Sequence, residues 1–293
     1  MNAIQIDDLT KYYGKTRGIE HIDLTVPQGD FFGFIGPNGA GKSTTIRTLL
    51  GLIRQNEGRA QILGMDTTKD REKILARVGY LPSDVSFYPG MRVKELLKLS
   101  ASLRRRDCRK ISGLLCERLQ LDTTRKVEEL SFGNRRKTAI ICALQHEPDL
   151  LILDEPTSGL DPLMQREFFE ILKERNKEGT TIFLSSHILS EIQHNCTQAA
   201  MIRNGTIIAR GSMAELSGTG AKRINVRGSV ELGALIGVRD LHSTPENVDF
   251  LYTGDMNDLL QTLSAGDIQD ITVTEPDLDE VFLHYYGQGS GRI

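Results

Sequence analysis

The feature that most constrains this chain of 293 residues is a glycine-rich loop that directly follows a run of apolar residues. Residues 36–43 read GPNGAGKS and match the phosphate-loop pattern GxxxxGK(S/T). The apolar run Phe31–Ile35 before the loop predicts a buried strand, and the segment after the loop predicts a helix. Glycines let consecutive backbone N–H groups point at phosphate oxygens, and the helix adds its positive end to the same site. The sequence therefore predicts a nucleotide-binding strand–loop–helix unit.

The residue types in this loop indicate how it holds a nucleotide. Lys42 is expected to bridge the β- and γ-phosphates, and the Ser43 hydroxyl is expected to ligate Mg²⁺. The predicted cofactors are therefore ATP and Mg²⁺. The candidate nucleotide contacts of the loop are Gly36, Asn38, Gly39, Ala40, Gly41, Lys42, Ser43 and Thr44.

A second apolar run, residues 150–153, ends in the adjacent acids Asp154 and Glu155. A strand at this position delivers both carboxylates at its carboxyl end, where ligands bind in parallel α/β sheets. Asp154 is placed to hold the Mg²⁺ shell through water, and Glu155 is placed to polarise a water for attack on the γ-phosphorus. Together with the phosphate loop, these acids predict a site that hydrolyses a nucleoside triphosphate.

Strand-like and helix-like segments alternate from the start of the chain to about residue 208, which is typical of an α/β domain with a largely parallel sheet. Between about residues 83 and 130 the strand pattern disappears, and predicted helices over 93–103 and 111–119 indicate an inserted helical subdomain. Five basic residues in this insert fit either a surface for acidic lipid headgroups or a solvated face, and the solvated face is favoured. They are Arg104, Arg105, Arg106, Arg109 and Lys110.

Turn residues mark two further elements of this region. The pair Asp161-Pro162 predicts the entry to a helix over residues 166–177. The pair Asn204-Gly205 lies between two apolar runs and predicts a β-hairpin.

Residues 212–221 are rich in serine, glycine, threonine and alanine, a composition typical of a linker. We therefore divide the chain into an ATPase domain, residues 1–219, and a C-terminal accessory domain, residues 220–293. Strand-like and helix-like segments mix in the second part, which predicts a small α+β domain. Its predicted strands are 223–227, 248–252 and 271–274, and its predicted helices are 255–263 and 278–286.

Charge, hydropathy and cysteine content disfavour several classes of protein. Lys and Arg total 36 against 39 Asp and Glu, a net charge of -3, so we expect no nucleic-acid partner. No apolar stretch approaches the roughly 18 residues of a membrane-spanning helix, and the first residues lack a secretory signal. We therefore expect a cytoplasmic protein. The four cysteines lack metal-binding spacing and are expected to be free thiols.

Residues 1–215 resemble the ATP-binding cassette (ABC) family, the nucleotide-binding subunits of ABC transporters. Besides the phosphate loop and the acidic strand, residues 130–134, LSFGN, occupy the place of that family's LSGGQ signature. Residues 158–161, SGLD, match its D-loop, and His187 matches its switch histidine. Tyr13 resembles the aromatic residue that stacks on adenine.

The resemblance implies the fold class: α/β, a P-loop NTPase of the ABC ATPase type. Such a domain has a parallel-sheet core, an N-terminal antiparallel β subdomain and an inserted helical subdomain. In this chain the small α+β C-terminal domain would follow it.

The resemblance also implies that two ATP molecules are buried between head-to-tail protomers. These protomers would form a homodimer, or a heterodimer with a related ABC ATPase. Ser131 and Gly133 would meet the γ-phosphate of ATP held by the other subunit, at the N-terminus of the signature helix. Asp161 of the D-loop joins the nucleotide contacts. The implied catalytic residues are Glu155, His187 and Lys42.

Two positions depart from the family pattern. Ser83 stands where many relatives carry a glutamine, and it is too short to reach Mg²⁺ as that amide would. Either a water substitutes, Asp84 takes over, or the loop reports the nucleotide state less directly. In the signature, Phe132 replaces a glycine and Asn134 replaces the glutamine, so the γ-phosphate contact is expected to work in altered form.

Residues 275–283, EPDLDEVFL, resemble a PSLEDVFL-like stretch in the accessory domain of bacterial exporters of drugs, antibiotics and polysaccharides. This resemblance implies an exporter ATPase that works with a separate transmembrane permease, peripheral on the inner face of the cell membrane. One alternative is a soluble, non-transport ABC ATPase that acts as a regulatory or assembly factor. Another is a nucleotide sensor without turnover, against which Glu155 and His187 argue.

Overall fold

A computed structural model describes residues 1–216, 222–233, 235–244 and 246–274 of the chain. The chain divides into two compact units, Met1–Arg210 and Gly211–Ile293. The residues around the predicted domain boundary at 219–220 lie outside the described residues, as do the stretch 275–283 and the predicted helix 278–286.

The first unit begins with an antiparallel sheet in the order β2-β1-β4-β5. Its strands are β1 Asn2–Tyr13, β2 Thr16–Pro27, β4 Glu57–Ile62 and β5 Met65–Asp66. In β2 the side chains of Ile22, Leu24 and Val26 are buried, while the residues between them are exposed. This alternation is typical of an antiparallel strand with one face on the core.

A six-stranded sheet follows in the order β10-β9-β3-β8-β7-β6. Its strands are β3 Phe31–Ile35, β6 Val78–Leu81, β7 Leu150–Asp154, β8 Thr181–Ser186, β9 Gln198–Arg203 and β10 Thr206–Ser212. The pairs β9–β3, β3–β8, β8–β7 and β7–β6 are parallel. Every residue of β3, β7 and β8 is buried, as expected of strands covered on both faces. The predicted parallel core is confirmed.

The predicted hairpin at Asn204-Gly205 joins β9 to β10 and is also confirmed. Asn204 and Gly205 have φ angles of 48° and 80°. Two consecutive positive φ angles match the twist of the flanking strands, and asparagine and glycine tolerate them best.

Helices of the first unit connect these strands. They are α1 Lys42–Leu49, α2 Arg71–Arg77, α3 Val93–Leu103, α4 Arg109–Arg118, a short 3₁₀ helix Val127–Glu129, α5 Phe132–Leu144, α6 Pro162–Lys177 and α7 Leu189–Asn195. The helical insert lies between the neighbouring strands β6 and β7, as predicted. Helix α6 begins four residues before the predicted start because Asp161 caps it, accepting a hydrogen bond from the Met164 N–H at 3.0 Å.

The described part of the segment predicted as a linker, 212–216, has regular secondary structure. Ser212 ends β10, and residues Met213–Leu216 form a short helix, α8. The Ser212 backbone N–H and hydroxyl both donate to the Glu215 carboxylate, and the Leu216 side chain is buried. These contacts hold the segment as a helical turn despite its small-residue composition.

The second unit contains an antiparallel sheet in the order β12-β13-β11-β14 and one longer helix among its described residues. Its elements are β11 Lys222–Ser229, β12 Val238–Ser243, β13 Asn247–Tyr252, β14 Asp267–Thr274 and α9 Met256–Ser264. Leu259 and Leu263 of α9 share a buried cluster with Ile224 and Phe250 of the sheet. The α+β class predicted for this part is therefore confirmed.

In the described part of the chain, every helix falls short of the length and apolar character needed to cross a bilayer.

Candidate functional site

The phosphate-loop sequence forms a tight turn between β3 and α1. Gly41 has a φ of 113°, and a Cβ at this position would lie 2.8 Å from Cγ2 of Ile19. Only glycine fits both the backbone conformation and the space. The Lys42 side chain is 5% exposed, and its Nζ donates hydrogen bonds to the carbonyl oxygens of Gly36 at 2.6 Å and Pro37 at 3.1 Å. The lysine is thereby held over the loop.

A cavity of about 270 Å³ opens at this loop. Its wall includes most of the predicted nucleotide contacts, together with Arg17 and Gly18, which no sequence motif identifies. The lining residues are Tyr13, Arg17, Gly18, Asn38, Gly39, Gly41, Lys42, Ser43, Thr44 and Glu155. Gly36 and Ala40 belong to the loop but do not line this cavity.

The β1–β2 hairpin brings Tyr13 to the cavity from outside the parallel sheet. Tyr13 pairs with Thr16 across a two-residue turn, so it lies at the tip of the hairpin. A Cβ at Gly18 would lie 3.0 Å from Cε2 of Tyr13, which means that the ring packs directly over this glycine. The Tyr13 side chain is 48% exposed, which leaves ring surface free for a ligand.

The two acids at the end of β7 occupy different surroundings. Asp154 is fully buried; its Oδ1 accepts a hydrogen bond of 2.6 Å from the Ser185 hydroxyl, and its Oδ2 has no hydrogen-bond partner among the described residues. Burial and the negative charge of Asp154 raise the pKa of Tyr80 on the neighbouring strand β6. Asp154 is thus a buried carboxylate with one oxygen free to bind.

Glu155 connects three of the predicted catalytic residues. Its Oε1 lies 3.0 Å from Nζ of Lys42, and its Oε2 lies 2.9 Å from Nδ1 of His187. The carboxylate is 18% exposed. Lys42, Glu155 and His187 follow β3, β7 and β8, and the carboxyl ends of these parallel strands lie at one edge of the sheet. The sheet topology therefore explains why residues distant in sequence meet.

The signature and D-loop residues form a second cluster in the same unit. Ser131 caps α5 by accepting a hydrogen bond from the Asn134 N–H at 3.3 Å. The Phe132 ring covers Gly159, where a Cβ would lie 2.1 Å from Cδ1 of that ring. Within the described residues, Ser131, Gly133 and Asp161 are not part of the wall of the phosphate-loop cavity. The structure of one chain therefore separates them from the cavity that Lys42 and Glu155 line.

Two residues outside the predicted set also contact the acidic strand. The Ser185 hydroxyl lies 3.3 Å from the Glu155 backbone N–H, in addition to its bond to Asp154. Arg136 of α5 is buried behind Asp154 and Glu155. Ser185 lies at the carboxyl end of β8, a position that could have identified it, whereas Arg136 carries no such signal in the sequence.

A parallel sheet with a phosphate loop after one strand, and with a buried aspartate and a partly exposed glutamate at the carboxyl end of another, is typical of the P-loop class of nucleoside triphosphatases.

Comparison with known proteins narrows this class. The family described as ABC transporter matches residues 19–158. The bacitracin transport ATP-binding protein BcrA of Bacillus licheniformis is 34% identical, and the alignment covers 98% of this chain and 98% of that protein. The daunorubicin resistance ATP-binding protein DrrA3 of Streptomyces coeruleorubidus is 33% identical over 97% and 96%. A solved structure described as the ATP binding subunit of an ABC transporter has a TM-score of 0.70 and 29% identity, over 73% of this chain and 91% of that one.

The chain belongs to the family of ABC transporter ATP-binding proteins. The resemblance stated from the motifs is confirmed, as are the fold class and the assignment as an ATPase.

Proposed function

We propose that this ATPase powers export through a separate membrane permease, and that it binds and hydrolyses ATP at the cavity lined by the phosphate loop. The observation that carries the catalytic part is the contact of Glu155 with both Lys42 and His187, at 3.0 Å and 2.9 Å. Lys42 provides positive charge, Glu155 a basic carboxylate and His187 an orienting group. These are the parts that a triphosphate hydrolase requires around the γ-phosphate.

The loop residues bind the nucleotide in this proposal. The backbone N–H groups of residues 36–44 and the N-terminus of α1 hold the phosphates, and the Tyr13 ring stacks on the base. Lys42 exchanges its contacts with Glu155 and the loop carbonyls for the β- and γ-phosphate oxygens. ATP binding thereby releases the Glu155 carboxylate from its ion pair.

The donor set fits a bound Mg²⁺ ion. Oδ2 of the buried Asp154 lacks a hydrogen-bond partner in the described part of the chain, and the Ser43 hydroxyl belongs to the same cavity wall as Lys42. Oxygen ligands of this kind suit a small hard cation that keeps several waters. Ser43 would bind the ion directly and Asp154 through a water. The ion would neutralise charge on the β- and γ-phosphate oxygens.

The freed Glu155 carboxylate then acts as general base. It accepts a proton from a water whose oxygen bonds to the γ-phosphorus, while the bond from that phosphorus to the β–γ bridging oxygen breaks and ADP leaves with its electron pair. His187 holds Glu155 through Oε2 and contacts the γ-phosphate. Hydrolysis therefore requires the Glu155 carboxylate, whereas ATP binding requires only the phosphate-binding residues.

We propose that the complete site forms between two protomers, a homodimer or a pair with a related ABC ATPase. Ser131 and Gly133 lie outside the cavity of their own chain, at the N-terminus of α5, where backbone N–H groups and the helix dipole favour an anion. The γ-phosphate of ATP held by the partner would occupy that position, and Asp161 would border the same nucleotide.

The transport role rests on the relatives. One has a name that refers to bacitracin transport and another to daunorubicin resistance, and each aligns over nearly its whole length. We therefore propose that the protein is a peripheral ATPase on the inner face of the membrane. Its proposed parts are an ATPase domain over residues 1–219, which includes a helical subdomain over about 83–130, and an accessory domain over residues 220–293.

The variant Glu155→Gln tests the catalytic assignment. The amide keeps the shape but cannot accept the proton, so turnover should fall at least about 100-fold while ATP affinity is retained. Glu170→Gln, an exposed glutamate on α6, is the matched control and should hydrolyse ATP at the wild-type rate. Normal turnover in Glu155→Gln would rule out Glu155 as general base.

Purification in mild detergent from native membranes tests the transport role. A multi-spanning polypeptide should accompany the protein in fixed stoichiometry, and ATP with Glu155→Gln should shift the isolated protein to a dimer in size-exclusion chromatography. An active ATPase that never associates with membranes would favour a soluble regulatory or assembly factor instead.

A further inference from the structure

Among the fully buried residues in the described part of the chain, Arg136 has the largest volume, and its exposed fraction is 1%. It lies in the first turns of α5, the helix that begins with the signature. A buried guanidinium is costly unless each of its N–H groups finds an acceptor. The acceptors that surround the Arg136 guanidinium therefore indicate its role.

All three guanidinium nitrogens of Arg136 donate to backbone carbonyl oxygens. Nε donates to Pro156 at 2.9 Å, Nη1 to Pro82 and to Ser83 at 3.0 Å, and Nη2 to Asp154 at 3.0 Å and to Glu155. A guanidinium has one N–H on Nε and two on each of the other nitrogens. The five donors are thus matched by five acceptors.

These five carbonyl groups come from the carboxyl ends of two neighbouring strands, β6 and β7. Pro82 and Ser83 follow β6, whereas Asp154 ends β7 and is followed by Glu155, the proposed general base, and Pro156. Arg136 itself belongs to the signature helix. One rigid side chain therefore joins three motifs, a task for which a lysine ammonium, with three donors on one atom, has the wrong shape.

The backbone of Glu155 is strained at this contact. Glu155 has a φ of 48°, in the left-handed region that costs an L-residue free energy unless its surroundings hold it there. Arg136 binds the carbonyl groups of Asp154, Glu155 and Pro156, one before, one at and one after the strained residue. The guanidinium is thus placed to maintain the conformation that aims the Glu155 side chain.

We propose that Arg136 is a positioning residue for ATP hydrolysis: it fixes the backbone of Glu155 and connects that backbone to the loop at Ser83. Burial lowers the pKa of Arg136 to about 10, so the group stays charged at neutral pH. Because the same guanidinium also holds the carbonyl groups of Pro82 and Ser83, any shift of the Glu155 backbone on ATP binding would be passed to the Ser83 loop. The inference rests on the proposed role of Glu155.

Steady-state kinetics of Arg136→Lys test the positioning role. The kcat should fall at least about tenfold while the KM for ATP changes less than about threefold, because the phosphate loop is untouched. Arg135→Lys is the matched control: Arg135 lies on the same helix, is exposed and donates to the Leu130 carbonyl. A wild-type kcat in Arg136→Lys, or equal losses in both variants, would overturn the proposal.

Hydrogen–deuterium exchange with Mg²⁺ and a non-hydrolysable ATP analogue tests the connection. In the wild-type protein the analogue should slow amide exchange in residues 36–44 and also in 83–90. In Arg136→Lys the protection of 36–44 should persist and that of 83–90 should disappear, a result that general destabilisation would not produce.

The wild-type measurement alone can refute the connection, even if Arg136→Lys folds poorly. Protection of 36–44 without any change in 83–90 would overturn the proposed link through Arg136 and leave the ATP site intact. Protection of neither segment would refute the nucleotide site and, with it, the inference.

Discussion

Acidification should weaken the fold of the ATPase unit through one buried histidine, His146. This residue follows α5 and is 2% exposed. Its Nε2 accepts a hydrogen bond of 3.1 Å from Nε of Arg104, and its carbonyl oxygen accepts one of 3.0 Å from Nη1 of Arg106. Burial and the charge of Arg104 lower the pKa of His146 to about 4.

The sign and size of the effect follow from linkage. The unfolded chain takes up a proton as the pH falls through the ordinary histidine value of 6.5, whereas the folded protein does not until about pH 4. The contribution of neutral His146 is therefore complete above pH 6.5 and is lost as the pH falls toward 4. Between about pH 7 and pH 5 the free energy of unfolding should drop by about 2 kcal/mol from this residue.

Urea unfolding at both pH values measures this loss, with His146→Gln as the reference. A glutamine side chain can accept the bond from Arg104 but does not titrate, and the carboxyl groups elsewhere contribute equally to both proteins. The wild-type protein should lose about 2 kcal/mol more than the variant between the two pH values. Equal losses in the two proteins would refute the buried, neutral state of His146.

Three further predictions concern other parts of the ATPase unit. Gly159→Ala should lower the free energy of unfolding by about 2 kcal/mol, because φ is 79° and the new Cβ would clash with the Phe132 ring. In a Phe132→Gly background, where only the backbone strain remains, the same substitution should cost about 1 kcal/mol. Equal costs in the two backgrounds would contradict the clash. Ser83→Gln should leave ATP binding nearly unchanged in equilibrium dialysis and alter hydrolysis less than about tenfold, whereas lost binding would assign the loop another role. Cys142 should resist iodoacetamide, because burial raises the pKa of its thiol to about 11; labelling as fast as in urea, measured by mass spectrometry, would disprove this.

The parts of the fold that the sequence predicts are those with a strong local pattern. The strands β3, β7 and β8 each contain a short run of apolar residues, at 31–35, 150–153 and 182–184, interrupted only by Gly33. Helix α6 and the hairpin at Asn204 begin with turn residues of restricted conformation. The strand β12 was missed because most of its residues are exposed, so its sequence has no apolar pattern. The helical turn over 213–216 was not predicted, because composition does not reveal that Ser212 and Glu215 pair.

In the candidate site, too, the residues with a local sequence motif were predicted and those without one were not. Motif spacing placed Lys42, Glu155 and His187 correctly relative to their strands, and parallel pairing brings the three together. Arg136 could not be identified, because its acceptors are backbone groups that any sequence would provide. Arg104 is a similar case: the other four residues of its basic cluster are exposed, as the solvated-face interpretation predicts, but Arg104 is partly buried against His146, which lies far along the chain.

The strand order of the parallel sheet has a consequence for synthesis on the ribosome. β3 carries the phosphate loop and ends at residue 35, but its two neighbours in the sheet are β8, which begins at residue 181, and β9, which begins at residue 198. A nascent chain therefore exposes an unpaired apolar strand until most of the ATPase unit has emerged, and chains that emerge N-terminus first are prone to aggregate in that interval. ATP is not expected to stabilise the chain at this stage, because the phosphate loop is held between β3 and α1, and β3 lacks both neighbouring strands until they emerge. A chaperone that binds apolar segments would reduce aggregation during this interval.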